Sequence, residues 1–199
     1  MAVERLSQAS ILTLNKYASM MAGSAYVPAS FELISTTVPN GSVSQIDLSL
    51  SGLSATYKHL QIRIVGRTSG AFTTGALRVQ FNTDTTSNYS THTLWGNTAM
   101  HGDSALTTYG QITDYVPAAS AVANSYNVSV TDLLDCFNAT TYKQYRTLSG
   151  AYSDGGTSAV KLASGSWRNT AALTTISIIA SGPGNFTTAS RISLYGVRG

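Results

Sequence analysis

Charged side chains are scarce in this chain of 199 residues, of which Asp, Glu, Lys and Arg make up 11%, against about 25% in an average soluble domain. The 12 basic residues outnumber the 9 acidic ones, which gives a net charge of +3, but they are scattered singly. A nucleic-acid-binding protein normally displays a basic patch or stripe. The sequence therefore argues against a nucleic-acid partner.

Cysteine is nearly absent as well. Cys136 is the single one, so no intramolecular disulfide can form and packing alone must hold the fold together. Its neighbours Leu133, Leu134 and Phe137 are typical of a small buried residue beside a turn, and we expect a structural role rather than a reactive thiol.

Long apolar runs are missing too. No run approaches the about 20 residues that a membrane-spanning helix needs. The N-terminus carries no h-region of a secretory signal, since Ile11-Leu12-Thr13-Leu14 is too short and too polar. We therefore expect a protein that is synthesised in a host cytoplasm and has no membrane span.

No set of side chains announces a chemistry. His59, His92 and His101 lack the spacing of metal ligands, so we expect ordinary surface or loop histidines and no metal. Asp132 and Asp135 lie three residues apart and are more typical of turn formers than of the two carboxylates that cleave a glycosidic bond from opposite sides. Nucleophile motifs are missing as well. We expect no catalytic residues, no cofactor and no enzymatic activity.

What the chain does have is alternation. Apolar and polar residues alternate in short stretches bounded by Gly, Asn, Ser and Thr, which predicts ten or eleven strands. These are Phe31–Val38, Val43–Leu50, His59–Val65, Leu77–Phe81, Thr91–Trp95, Thr107–Val116, Ser125–Leu133, Tyr142–Ala151, Ala159–Trp167, Leu173–Ala180 and Arg191–Val197. Loops are predicted between them, the longest at 68–75, 84–90, 96–105, 153–158 and 181–188.

No helical segment of crossover length separates these strands, so parallel pairing is excluded and the sheets should be antiparallel. Uneven loop lengths favour two packed sheets of jelly-roll or Greek-key type over a closed barrel. The prediction is thus an all-β fold, an antiparallel two-sheet β-sandwich over residues 31–199, with residues 1–30 as a separate N-terminal arm.

The arm is predicted to hold one short helix. Leu14, Tyr17 and Met21 recur at helical spacing and, with Met20, form an apolar patch. A helix of this length is marginal in water unless it is docked on something. It packs either on its own domain or on a neighbouring subunit, and the second alternative makes these four residues an assembly site.

Two tryptophans are candidates for ligand contact. Trp95 precedes Gly96 and Trp167 precedes Arg168, so either indole could stack on a sugar ring near a loop. Aromatic side chains also dominate the energetics of cores, and packing at the ends of the sandwich is the favoured alternative.

A further signal comes from short segments spread in order over roughly residues 31–198: Phe31-Glu32-Leu33-Ile34, Tyr57-Lys58-His59-Leu60-Gln61-Ile62-Arg63, Phe81-Asn82-Thr83-Asp84, Asn88-Tyr89-Ser90, Leu94-Trp95-Gly96-Asn97, Tyr142-Lys143, Leu148-Ser149-Gly150, Ser164-Gly165-Ser166-Trp167-Arg168, Gly184-Asn185-Phe186 and Ser193-Leu194-Tyr195-Gly196-Val197. In this order they resemble a β-sandwich domain of tailed bacteriophages, especially of phages that infect aquatic bacteria and cyanobacteria.

This resemblance implies a virion protein. The family includes trimeric cement (decoration) proteins of capsids and the distal, host-facing domains of tailspikes and fibres. A tailspike needs a long particle-binding region upstream, whereas residues 1–30 suit a capsid-bound protein. We therefore expect a homotrimer on the outer capsid surface that contacts the major capsid protein. The alternative is a receptor- or glycan-binding tip of a tail fibre or tailspike, with a host surface glycan as its partner.

Overall fold

The computed structural model of the chain describes residues 30–96, 99–152, 158–182 and 184–199. These residues form twelve strands and one short 3₁₀ helix, Leu53–Ala55. The strands are β1 (Phe31–Thr37), β2 (Gln45–Ser49), β3 (His59–Gly66), β4 (Thr74–Phe81), β5 (Tyr89–Gly96), β6 (Met100–Thr107), β7 (Gly110–Pro117), β8 (Asn127–Leu134), β9 (Lys143–Ala151), β10 (Ala159–Trp167), β11 (Thr175–Ser181) and β12 (Arg191–Val197). The predicted arm helix with Leu14, Tyr17, Met20 and Met21 lies outside the described residues.

Two sheets divide these strands. The large sheet has eight strands in the order β1-β12-β3-β8-β9-β10-β5-β6, and the small sheet has four in the order β2-β11-β4-β7. Neighbouring strands pair antiparallel in both. The predicted all-β class with two antiparallel sheets is therefore confirmed.

The chain alternates between the sheets as it winds. Strands β1, β3, β8 and β12 lie side by side in the large sheet, while β2, β4, β7 and β11 form the small one. This alternation is the winding of an eight-stranded jelly roll. The hairpins β5–β6 and β9–β10 are additions to it, and both extend the large sheet beyond β8.

One hydrophobic core joins the two sheets. At its centre the Phe81 ring of the small sheet lies 6.1, 6.0 and 5.9 Å from the rings of Tyr89, Tyr145 and Trp167 in the large sheet. All four side chains are almost fully buried. These aromatic contacts explain why Trp167 and the tyrosines are needed in a chain that has no disulfide to staple its sheets.

Alternation correctly predicted the inner face of several strands. Ile46 and Leu48 of β2, Leu60, Ile62 and Ile64 of β3, and Leu77, Val79 and Phe81 of β4 are all buried. Each set points across to the other sheet because successive side chains of a strand alternate between its faces.

One strand was missed. Residues 96–105 were predicted as a loop, but Met100–Thr107 forms β6, the last strand of the large sheet. Seven of its eight residues are exposed and the eighth is half-buried, so neither face carries the apolar pattern of a half-buried strand. The next predicted strand also began too early, since β7 starts at Gly110 rather than Thr107.

Candidate functional site

The three strands β8, β9 and β10 reverse the usual arrangement of polar and apolar side chains. Their inner face carries buried polar residues, among them Asn127, Ser129, Thr131, Thr147, Ser149 and Lys161, whereas Val128, Val130, Leu148, Val160 and Leu162 point to solvent. Buried polar groups together with exposed apolar ones are the informative departures in a folded protein. The outer face of these strands is therefore the first candidate for a functional surface.

The buried polar side chains are satisfied within the chain. Thr131 and Thr147 share a hydrogen bond of 2.8 Å between their hydroxyl oxygens. The Asn127 amide donates to the carbonyl oxygens of Tyr115 and Gly150 at 3.0 and 3.1 Å. Because these partners are fixed, β8 and β9 cannot turn over to place their apolar side chains inside without losing several buried hydrogen bonds.

Strand register gathers the exposed apolar side chains into one patch. Val130, Leu148, Leu162 and Leu94 lie directly opposite one another across β8, β9, β10 and β5. Val65 and Val128 are likewise paired across β3 and β8. We call the set of Val65, Leu94, Val128, Val130, Leu148, Val160 and Leu162 the outer apolar face. Its members are 38% to 63% exposed.

Two shallow depressions lie on this face. One of about 400 Å³ is lined by Val130, Leu148 and Leu162 together with the Asp132–Arg146 pair. The other, of about 450 Å³, reaches from Arg63 over Val128 and Gly150 to Val160. The two depressions share Val130 and Leu148. Both are open and mainly apolar, so they fit side chains of a docked protein better than a small polar ligand.

The charged residues at the border of the face are already paired. Arg146 Nε lies 3.2 Å from an Asp132 carboxylate oxygen, and the Gln61 amide donates to the other oxygen at 2.8 Å. The Arg63 guanidinium lies 4.7 Å from the centre of the Tyr195 ring. These contacts hold the charged groups at the margin and leave the middle of the face apolar.

Below the face an ionic cluster fastens the two sheets. Lys161 of β10 is 2% exposed and its ammonium group contacts the Asp114 carboxylate of β7. Arg78 of β4 lies 2.6 Å from the other oxygen of that carboxylate. Burial raises the pKa of Asp114, but the charges of Arg78 and Lys161 outweigh it, so the net pKa is below its ordinary value. Asp114 therefore stays ionised and holds two cations, one from each sheet.

The structure separates the two predicted sugar-stacking tryptophans. Trp167 is 1% exposed and its indole N–H donates to Asp84 at 2.7 Å. Its ring faces are packed in the core, so the glycan-stacking prediction is wrong for Trp167 and the packing alternative holds. Trp95 is half-buried, with the His101 ring stacked on it at 4.0 Å and Tyr115 at 5.7 Å. One face of Trp95 is thus covered by its own chain.

Other chemistry-bearing residues have structural partners. His59 Nδ1 accepts a hydrogen bond of 2.8 Å from the backbone N–H of Asp135. Asp135 has a left-handed φ of 50° in a turn, as expected, but Asp132 lies within strand β8 and is not a turn former. Across the described part of the chain, no three His, Cys, Asp or Glu side chains cluster closely enough to hold a metal ion.

Cys136 is fully buried, as its neighbours predicted. Its thiol contacts the Lys58 carbonyl oxygen at 3.5 Å. Burial raises the pKa of the thiol to about 12, so it remains protonated and is a poor nucleophile at neutral pH. Over the described residues, no helix is long and apolar enough to span a bilayer.

Sequence comparison assigns no family. No protein-family model matches the chain, and no curated protein is significantly similar to it. In a structural comparison the chain is similar to the tripod from the baseplate of bacteriophage Tuc2009, with a TM-score of 0.26 and 10% identity over 100% of this chain and 98% of that chain. A likeness of that size assigns neither a family nor a function.

Proposed function

We propose that this protein is a structural component of a bacteriophage particle, a cement (decoration) protein that lies on the outer capsid surface as a trimer and contacts the major capsid protein. The observation that carries the proposal is the outer apolar face. Solvent-facing apolar surface of this extent marks a site of protein–protein contact. The resemblance of the segments between Phe31 and Val197 to phage β-sandwich domains supplies the kind of assembly.

The energetics of the face suit an adhesive role. Burying a Val or Leu side chain completely is worth about 1.5–3 kcal/mol, and the seven side chains of the face are roughly half exposed, so covering them contributes about 5–10 kcal/mol. Association costs an estimated 4–15 kcal/mol for lost translational and rotational freedom. One such contact is thus marginal by itself, whereas several contacts within an oligomer reinforce one another through effective concentration.

The proposal contains no catalytic step. Asp84, Asp114 and Asp132 are engaged in hydrogen bonds or ion pairs within the fold. Lys143 is buried and donates to the carbonyl oxygens of Thr141 and Thr170 at 2.6 and 3.0 Å. These groups stabilise turns and the contact between the sheets, which accounts for them without a substrate.

The test is to locate the protein on the particle and to measure what it does there. Particles of the parent phage, prepared with and without the protein, are compared by cryo-electron microscopy and by thermal release of DNA. We expect density for the sandwich on the outer capsid lattice and DNA release at a higher temperature when the protein is present. Density confined to the tail, or unchanged particle stability, would contradict the cement role.

A glycan-binding tip of a tail fibre or tailspike is the competing function. The observation in its favour is Trp95, whose ring is only half-buried at the edge of the large sheet. A glycan array probed with the wild-type protein and with Trp95→Ala separates the two. Binding that disappears in the variant supports a host glycan as partner, and an array without any binding by the wild type removes this alternative.

A further inference from the structure

We infer that the outer apolar face is the contact between copies of this chain, so that its occupant is a second copy rather than the capsid lattice. The inference shares with the proposed function the requirement that the face is buried in an assembly. It goes further because it names the partner, and it applies before any particle is present.

The size of the face matches what a stable contact between copies needs. Six neighbouring strands, β3, β8, β9, β10, β5 and β6, form this side of the large sheet. At about 4.8 Å between strands and 3.3 Å per residue, six strands of eight residues cover about 750 Å². A standard stable interface buries about 800 Å² per partner. The surface is thus wide enough for one subunit of similar size.

The chemistry of the face favours a permanent partner. Its centre, around Val130, Leu148 and Leu162, has no ionised group, and the nearest charges, Asp132 and Arg146, neutralise each other. Interfaces in homo-oligomers are more apolar than those of transient complexes. A nucleic acid or an acidic glycan needs unpaired cations at the contact, and the face offers none in its middle. A partner synthesised with the chain, which covers the face from the start, is a second copy of it.

Two glycines point to the close approach of another backbone. Gly150 lies between Val128 and Val160 on the face, and Gly102 lies opposite Leu94. A Cβ added to Gly150 would meet nothing nearer than the Ala159 carbonyl oxygen at 4.0 Å, and one added to Gly102 would meet nothing nearer than the Thr93 carbonyl oxygen at 3.7 Å. The chain itself therefore does not require glycine there. Glycine inside a strand often marks the close approach of another backbone.

The experiment measures the mass of the full-length protein in solution, without particles, by light scattering after gel filtration and by sedimentation between about 1 and 100 μM, the range in which specific contacts form. We expect the wild type to be oligomeric. Leu148→Glu should raise the dissociation constant at least about 100-fold, because it places a charge at a desolvated hot spot. Phe72→Glu is the matched control: Phe72 is 56% and Leu148 57% exposed, but Phe72 lies outside the face.

Gly150→Val is the sharper variant. The added side chain has room within the chain and β-branched residues favour strands, so thermal stability should be equal or higher. The oligomer should nevertheless weaken at least about 10-fold, because the side chain blocks the approach of the second copy. Unchanged circular dichroism in both face variants shows that the effect is on assembly and not on folding.

The outcomes are distinguishable from those of the proposed function. A wild type that remains monomeric at the highest concentration, or face variants that keep the mass of the wild type, overturns the inference. If Leu148→Glu keeps that mass but no longer binds particles, the capsid covers the face and the cement role stands. If the variants dissociate but the wild type never associates with particles, the contact between copies stands and the cement role fails.

Discussion

The ionic cluster between the sheets leads to an asymmetric prediction for its two sides. Lys161 in the large sheet is almost completely buried, whereas Asp114 in the small sheet is 37% exposed and is also held by Arg78. Asp114→Asn leaves the Lys161 ammonium buried without a carboxylate. Lys161→Met removes the buried charge, keeps most of the volume, and leaves Asp114 paired with Arg78.

The magnitudes follow from this geometry. Breaking a buried ion pair by removing one partner typically costs 3–5 kcal/mol, because the other charge is left without compensation, and we expect about 3 kcal/mol for Asp114→Asn because water reaches that carboxylate. Replacing the buried cation by an apolar residue of similar size is often neutral, so Lys161→Met should cost less than about 1 kcal/mol. The two substitutions therefore differ although they remove the same contact.

Urea unfolding monitored by circular dichroism measures both variants. For a slope of about 2 kcal/mol per M, the midpoint of Asp114→Asn should fall by about 1.5 M and that of Lys161→Met by less than about 0.5 M. All samples are compared at one protein concentration, because association also raises apparent stability. Equal losses in the two variants, or a larger loss in Lys161→Met, would refute the argument that an uncompensated Lys161 determines the cost.

Three further predictions follow from the fold. Phe81→Ala should cost about 3–5 kcal/mol of unfolding free energy, since it removes the ring that Tyr145 and Trp167 contact across the core, and urea midpoints measure this loss. Burial raises the pKa of Asp84, but hydrogen bonds from Thr86, Asn88 and Trp167 lower it more, so the net pKa is depressed. Stability from Asp84 is then present above the unfolded pKa and is lost as the pH falls below about 4, so unfolding between pH 5 and 2 should depend less on pH in Asp84→Ala than in the wild type. Deletion of residues 1–28 should leave a folded β domain by circular dichroism that no longer forms trimers or decorates particles, and a truncated protein that still assembles would remove the anchoring role of the predicted helix.

Local pattern was sufficient for much of the fold. Alternation over Leu60–Ile64 and Leu77–Phe81 identified strands and their buried faces, because successive side chains in a strand point to opposite sides whatever the rest of the chain does. The absence of crossover helices was enough to predict antiparallel sheets. The single Cys136 beside apolar neighbours was enough to predict a buried thiol. Each of these conclusions depends only on residues close together in the chain.

Strand β6 was not predictable in the same way. Met100–Thr107 has both faces in solvent, and a strand that buries neither face leaves no alternation in its sequence. Its strand conformation comes from pairing with β5, from Tyr89 opposite Thr107 to Gly96 opposite Met100. That pairing is a property of the hairpin in the folded sheet and not of the eight residues by themselves.

Which side of the large sheet is the inside was decided only by the tertiary structure. The sequence by itself determined that Val128 and Val130 share one face of β8 and that Ser129 and Thr131 share the other, because the side-chain period of a strand is two. Period alone does not say which face meets the second sheet. The buried bonds of Asn127 to Tyr115 and Gly150, and the ion pair of Lys161 with Asp114, turn the polar face inward. The apolar side chains are left outside, where only an assembly can cover them.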